Sequence, residues 1–182
     1  DEALAATLED PQNRPRLLTK GRLIAIGLIL VLLFGAYFRF TGVNWDSDQH
    51  QHPDERFMTM VAQQISSVDS LGQYFNPEES SLNPLGYGFY TYGMLPLFIT
   101  RYVAEWFART TYDEVVLVGR ILSGVFDLAA VMALYFLGRR IYGRRIGLLA
   151  AALYAAAVVP IQLSHYFAVD SFTTVFIIAA MY

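Results

Sequence analysis

Apolar positions in this chain come in long unbroken runs. Residues 23–38 hold no charged side chain. Residues 115–137 hold only Arg120 and Asp127, and residues 146–168 hold one histidine and no full charge. A helix crossing a bilayer needs about 20 mostly apolar residues, so the pattern predicts membrane spans at 23–40, 115–137 and 146–162. A further apolar run from Ser171 begins a fourth helix within 163–182. Between the first two spans the period changes. Phe57, Val61, Ile65, Val68 and Leu71 recur at helical spacing behind Pro53, which suits a first helical position. This predicts an amphipathic helix over residues 53–71, lying on the membrane surface. Asn76-Pro77 and Asn83-Pro84 mark turns. Residues 87–107 are long enough to cross, but Pro96 and Arg101 interrupt them, and Tyr87, Tyr90, Tyr92, Tyr102 and Trp106 give them the composition of a membrane interface.

Charge breaks that ambiguity. Arg139, Arg140, Arg144 and Arg145 crowd into residues 138–145, and the positive-inside rule places such a loop in the cytoplasm. It falls there only if residues 87–107 stay at the outer interface as an interfacial or re-entrant element. Arg14, Arg16, Lys20 and Arg22 place the polar arm 1–22 on the same inner side. The expected organisation is an all-α polytopic transmembrane bundle: the arm, a span at 23–40, an outer loop at 41–114 with amphipathic interfacial helices, spans at 115–137 and 146–162 joined by the basic loop, and an outer loop opening the fourth helix. A multi-pass protein of the cytoplasmic (inner) membrane follows, with a cytoplasmic N-terminus. Because the apolar run after Ser171 stops at Tyr182, too short to span, the chain is expected to be the N-terminal part of a longer protein.

Composition agrees. Apolar residues make up 55% of the 182 and charged residues 16%, against about 25% charged in soluble domains. The net charge of −3 gives no basic surface for nucleic acid. The absence of cysteine excludes a disulfide framework and thiolate metal sites.

Candidate chemistry gathers on the outer side. Asp46, Asp48, His50, His52 and Asp54 alternate. In extended backbone they would share a face, where Asp48, His50 and His52 are the candidate ligands of a divalent cation, or a group that handles protons. The simpler reading is a solvated polar loop. Asp54 and Glu55 fall in the first turn of the predicted surface helix, where free N–H groups favour carboxylates. Arg120 and Asp127 lie two turns apart inside one span, and charges there mark function or ion pairs between helices. His165 and Asp170 form a polar cluster at the outer boundary.

The order of these parts resembles the N-terminal region of glycosyltransferases of the C superfamily, closest to the protein O-mannosyltransferases and aminoarabinose transferases (glycosyltransferase family 39). The similarity rests on His52-Pro53-Asp54-Glu55-Arg56-Phe57, on Asn83-Pro84-Leu85-Gly86-Tyr87 where many relatives have Pro-Pro-Leu-Tyr, on Arg120-Ile121-Leu122-Ser123 through Tyr135 to Gly147, and on Ser164 to Asp170. The resemblance implies transfer of a hexosyl or pentosyl group from a polyprenyl-phosphate donor at the outer membrane face. It implies Asp54 as general base with Glu55 beside it, Arg56, Arg120, His165 and Asp170 on the substrates, and a lipid-linked sugar as the donor, with or without a divalent cation. The full-length protein is then expected to be the enzyme and this part alone inactive. The competing expectation is a non-catalytic subunit packed among partners in a larger membrane complex, respiratory or photosynthetic.

Overall fold

The computed structural model describes residues 19–182, all of it helix, turn and loop. Arg14, Arg16 and most of the predicted arm lie outside the described residues. Helix α1 (Lys20–Phe40) starts where the Thr19 side chain accepts from the Arg22 N–H. After a turn-rich stretch come α2 (Pro53–Gln64), α3 (Leu71–Phe75), a 3-10 turn (Pro84–Tyr87) and α4 (Met94–Trp106). Helix α5 (Tyr112–Tyr142) opens on a Thr111–Glu114 capping box and ends at Gly143, whose φ of 92° suits a residue without a Cβ. Then follow α6 (Arg144–Ala155), α7 (Val158–Leu163) and α8 (Asp170–Met181).

By length and composition α1 and α5 can cross a membrane. Helix α1 leaves Ile29, Leu30, Leu33 and Tyr37 largely uncovered, the outward apolar surface that a lipid solvent permits and water penalises. This is a membrane protein. Helix α5 is its axis, at 31 residues and mostly buried. Helix α1 runs antiparallel to it: Gly35 meets Leu128, and Arg39 meets Asp127. Helix α6 turns back beside both, so that Leu148 reaches Gly27 and Tyr154 reaches Asp127.

A buried charge fastens these helices. Arg39 Nε donates to Asp127 Oδ2, Arg39 Nη1 donates to the carbonyls of Gly35 and Ala155, and the Tyr154 hydroxyl donates to Asp127 Oδ1. The predicted third span breaks at this level into α6 and α7. Proline at position 160 has no N–H for the carbonyl of Ala156 and clashes with it. The Arg39 guanidinium donates to the neighbouring Ala155 carbonyl, a cation at the C-terminal end of α6.

The loop between α1 and α5 has its own apolar core. Met58, Val61, Ala62 and Ile65 of the α2 region pack with Leu82, Leu97, Ala104, Val115, Val116 and Phe167. The surface helix is shorter than its pattern predicts, ending at Gln64. Tertiary partners take the next backbone groups: the Ser66 N–H donates to the Ser81 carbonyl, the Ser81 hydroxyl reaches the carbonyls of Ser66 and Ser67, and the Ser67 N–H donates to Glu105.

Candidate functional site

The site is organised by the first turn of α2. His52 caps the helix, its Nδ1 accepting from the Glu55 N–H at 3.3 Å. Neighbouring helical residues point about 100° apart, so Asp54 and Glu55 part company. Glu55 turns inward and is fully buried, while Asp54 stays exposed.

Glu55 is held by Arg120 of α5. Arg120 Nε donates to Oε1 at 2.7 Å and Nη2 to Oε2 at 2.7 Å, and the backbone N–H of Phe167 adds a third bond to Oε1 at 2.7 Å. The other edge of the guanidinium meets Asp46, with Nη1 at 3.0 Å from Oδ1 and Nη2 at 2.9 Å from Oδ2, and Nη1 also donates to the Val43 carbonyl. All five donors of a guanidinium are thereby used, and the Trp45 ring lies 5.5 Å away. Arg120 therefore ties together the turn after α1, the start of α2 and the connection before α8. Its hydrogen bond, together with its charge and the Gln51 N–H, holds the Asp46 carboxyl below the ordinary aspartate range against the opposing effect of burial.

Asp54 lies near the loop after the 3-10 turn, where its carboxylate, together with partial burial, raises the Tyr92 phenol above its ordinary value. The Tyr92 ring packs 6.0 Å from Phe57, which Tyr87, Phe89 and Tyr90 also surround. Arg56 is exposed one residue beyond Glu55.

The alternating ligand set is not assembled. The stretch is not extended, since Ser47, Asp48 and His50 adopt left-handed φ values of 50°, 64° and 48°. Asp46 turns to Arg120, His50 Nε2 meets Asp113 at 2.9 Å, His52 Nδ1 is spent on its cap, and Asp48 is exposed. Among the described residues no group of acidic and histidine side chains is placed to hold a metal ion, so these residues do not fit the divalent cation expected of them.

The second outer segment docks against the first. Tyr166 lies 4.4 Å from the His52 ring and 5.6 Å from Trp45. His165 bridges two carbonyls, its Nδ1 2.8 Å from Ile161 O and its Nε2 3.0 Å from Thr41 O. It lines a hollow of about 330 Å³ with Thr41, Gly42, Trp45, Gln162 and Tyr166. Asp170 is exposed in the first turn of α8.

Sequence reasoning did not single out the anchoring role of Asp46, the Phe167 N–H, the Tyr92 hydroxyl or the Arg39–Asp127 pair. An arginine closing an apolar run, with one acid inside a later span, was the available signal for the last of these. A backbone donor such as that of Phe167 leaves none.

Residues 96–182 match the model of the dolichyl-phosphate-mannose-protein mannosyltransferase family. No curated protein and no solved structure matches the chain. The matched stretch contains Arg120, His165, Phe167 and Asp170, and it favours a membrane glycosyltransferase over an accessory subunit.

Proposed function

We propose, on the premise that residues 96–182 are a glycosyltransferase segment of the mannosyltransferase type, that the chain is the N-terminal part of an enzyme moving a sugar from a polyprenyl-phosphate donor to an acceptor hydroxyl at the outer face of the membrane. The observation that carries this reading is the division of labour between neighbouring carboxylates. Glu55 is buried and spent on Arg120 and Phe167, whereas Asp54, beside it, is exposed to solvent near the Tyr92 phenol.

Asp54 is the general base. Its carboxylate takes the acceptor proton as the acceptor oxygen attacks the anomeric carbon. The bond from that carbon to the lipid phosphate breaks, and the phosphate leaves with the electron pair. Attack from the opposite face inverts the anomeric centre. The departing phosphate needs a cation. Arg120 has all its donors engaged inside the protein, so Arg56 takes that role and Arg120 positions the base through Glu55. His165 and Asp170 complete the substrate side from the second outer segment.

The test is Asp54→Asn in the full-length protein, reconstituted in liposomes with polyprenyl-phosphate-linked mannose. Loss of a general base lowers turnover by about 10²–10⁴-fold. Loss of one carboxylate at an exposed helix start costs only about 0.3–1 kcal/mol of stability, so melting is nearly unchanged. Turnover close to the unmutated rate in the folded variant removes Asp54 as base.

A further inference from the structure

Helix α4 is inside-out for a helix in contact with water. Its charged side chains, Arg101 and Glu105, turn inward, and Arg101 is only 9% exposed. Arg101 Nε donates to Glu105 Oε1 at 2.6 Å, and the same oxygen accepts from the Ser67 N–H at 3.0 Å. The outward face is apolar and aromatic: Leu95, Tyr102 and Trp106, the last 85% exposed, followed by Phe107. Helix α3 extends this face with Leu71 at 78% and Phe75 at 76% exposed. Two shallow hollows of about 330 and 380 Å³ are both lined by Tyr74 and Phe98.

A surface helix in water puts its charges outward and its apolar stripe inward. Here the uncharged side faces out, so the medium it meets is apolar. Tryptophan and tyrosine are the side chains of the membrane–water boundary. The surface is also continuous with the membrane part, because α4 passes through residues 107–111 directly into the long apolar α5.

We infer that the outward faces of α3 and α4 rest in the bilayer leaflet nearest α2, with lipid chains in the two hollows, and form a platform that holds α2 in place. The link is Arg101. Its Nη1 donates to the carbonyls of Ala62 at 3.2 Å and Gln63 at 3.3 Å, in the last turn of α2, where a cation suits the helix dipole. Asp54 sits at the other end of that helix, roughly 15 Å away at 1.5 Å per residue. Anchoring α4 in lipid thus sets the height of Asp54 above the bilayer. The lipid contact itself is independent of any transfer activity.

The test uses the full-length protein in phosphatidylcholine vesicles, with single nitroxide labels on Leu95→Cys, Trp106→Cys and, as a control in the exposed turn, Gln49→Cys. The ratio of oxygen to water-soluble nickel-complex accessibility is expected to be several-fold higher at the first two positions than at Gln49. Nickel access at Leu95→Cys and Trp106→Cys equal to the control overturns the platform in favour of a water-facing surface. Exclusion of both reagents overturns it in favour of a protein partner or a second copy. For the link, a label on Gln63→Cys is expected to gain mobility when Arg101→Met is added, with the Leu95→Cys ratio unchanged. Unchanged mobility at Gln63→Cys overturns the role of Arg101.

Discussion

Two neighbouring carboxylates with the same intrinsic chemistry receive opposite fates from their position on one helical turn. Glu55 is locked by an arginine and a backbone N–H, and Asp54 meets water. The lock depends on charge balance. Arg120 stands between two buried acids, Asp46 and Glu55, and satisfies both bidentately. Removing a partner from such a group leaves an uncompensated buried charge, which typically costs 3–5 kcal/mol. The pH dependence follows from Asp46. Its carboxyl is held below the ordinary value of 3.8 in the folded protein, chiefly by the Arg120 hydrogen bond. The unfolded chain therefore binds this proton first as pH falls, and the stability that Asp46 contributes is fully present above that value and is lost on acidification through its lower, folded value. Asp46→Asn is expected to lower stability at neutral pH and to flatten the fall in stability below about pH 3.8. Melting followed from pH 7 downward checks this; an acid limb as steep as in the unmutated protein assigns the titration to another carboxyl.

At the level of elements, the site exists because the connection from α7 to α8 lies flat on α5. Gly119 makes that possible: a Cβ there would stand 2.2 Å from the Phe167 ring, closer than any real contact. The ring is fully buried, and its own backbone N–H is one of the bonds that fix Glu55. Gly119→Ala is expected to push Phe167 outward, to cost about 1–3 kcal/mol as overpacking does, and to weaken the hold on Glu55, lowering transfer as well as melting temperature. Cutting the side chain back to Cβ removes the two nearest atoms, so Gly119→Ala with Phe167→Ala is expected to cost less than the sum of the two single changes, a coupling that a double-mutant cycle reads. Strict additivity removes the contact from the account. Gly119 and Ser123, four residues apart, are small enough to permit a close neighbour on this side of the span. That the neighbour is a loop phenylalanine was not legible, because no periodicity encodes a loop that docks from far along the chain.

Across the whole molecule, legibility followed distance along the chain. The apolar runs became α1 and α5, and the interfacial composition of residues 87–107 became a 13-residue helix set beside α2. The expected span 146–162 runs straight through Pro160, although the effect of a proline on the carbonyl four residues back is enough to predict the break. The triad of Asp46, Glu55 and Arg120 was hidden, since nothing in a one-dimensional pattern pairs side chains more than sixty residues apart. The helix directions now bear on topology. Helix α1 is antiparallel to α5 and parallel to α6, and its start at Gly21 lies against Arg144. Lys20, Arg22, Arg139, Arg140, Arg144 and Arg145 therefore gather at one end of the bundle, and the acidic loop with Asp54 lies at the other. Helix α4, about 20 Å long at 1.5 Å per residue, stays at the acidic end because Arg101 clamps it to α2. By the positive-inside rule the arginine end is expected on the cytoplasmic side. Tyr142→Cys, exposed between the arginine pairs, is expected to resist an impermeant maleimide in intact cells and to react once the membrane is opened. Gln49→Cys is expected to react from outside in both conditions. Ready labelling of Tyr142→Cys in intact cells overturns this orientation and, with it, the assignment of Asp54 to the outer face.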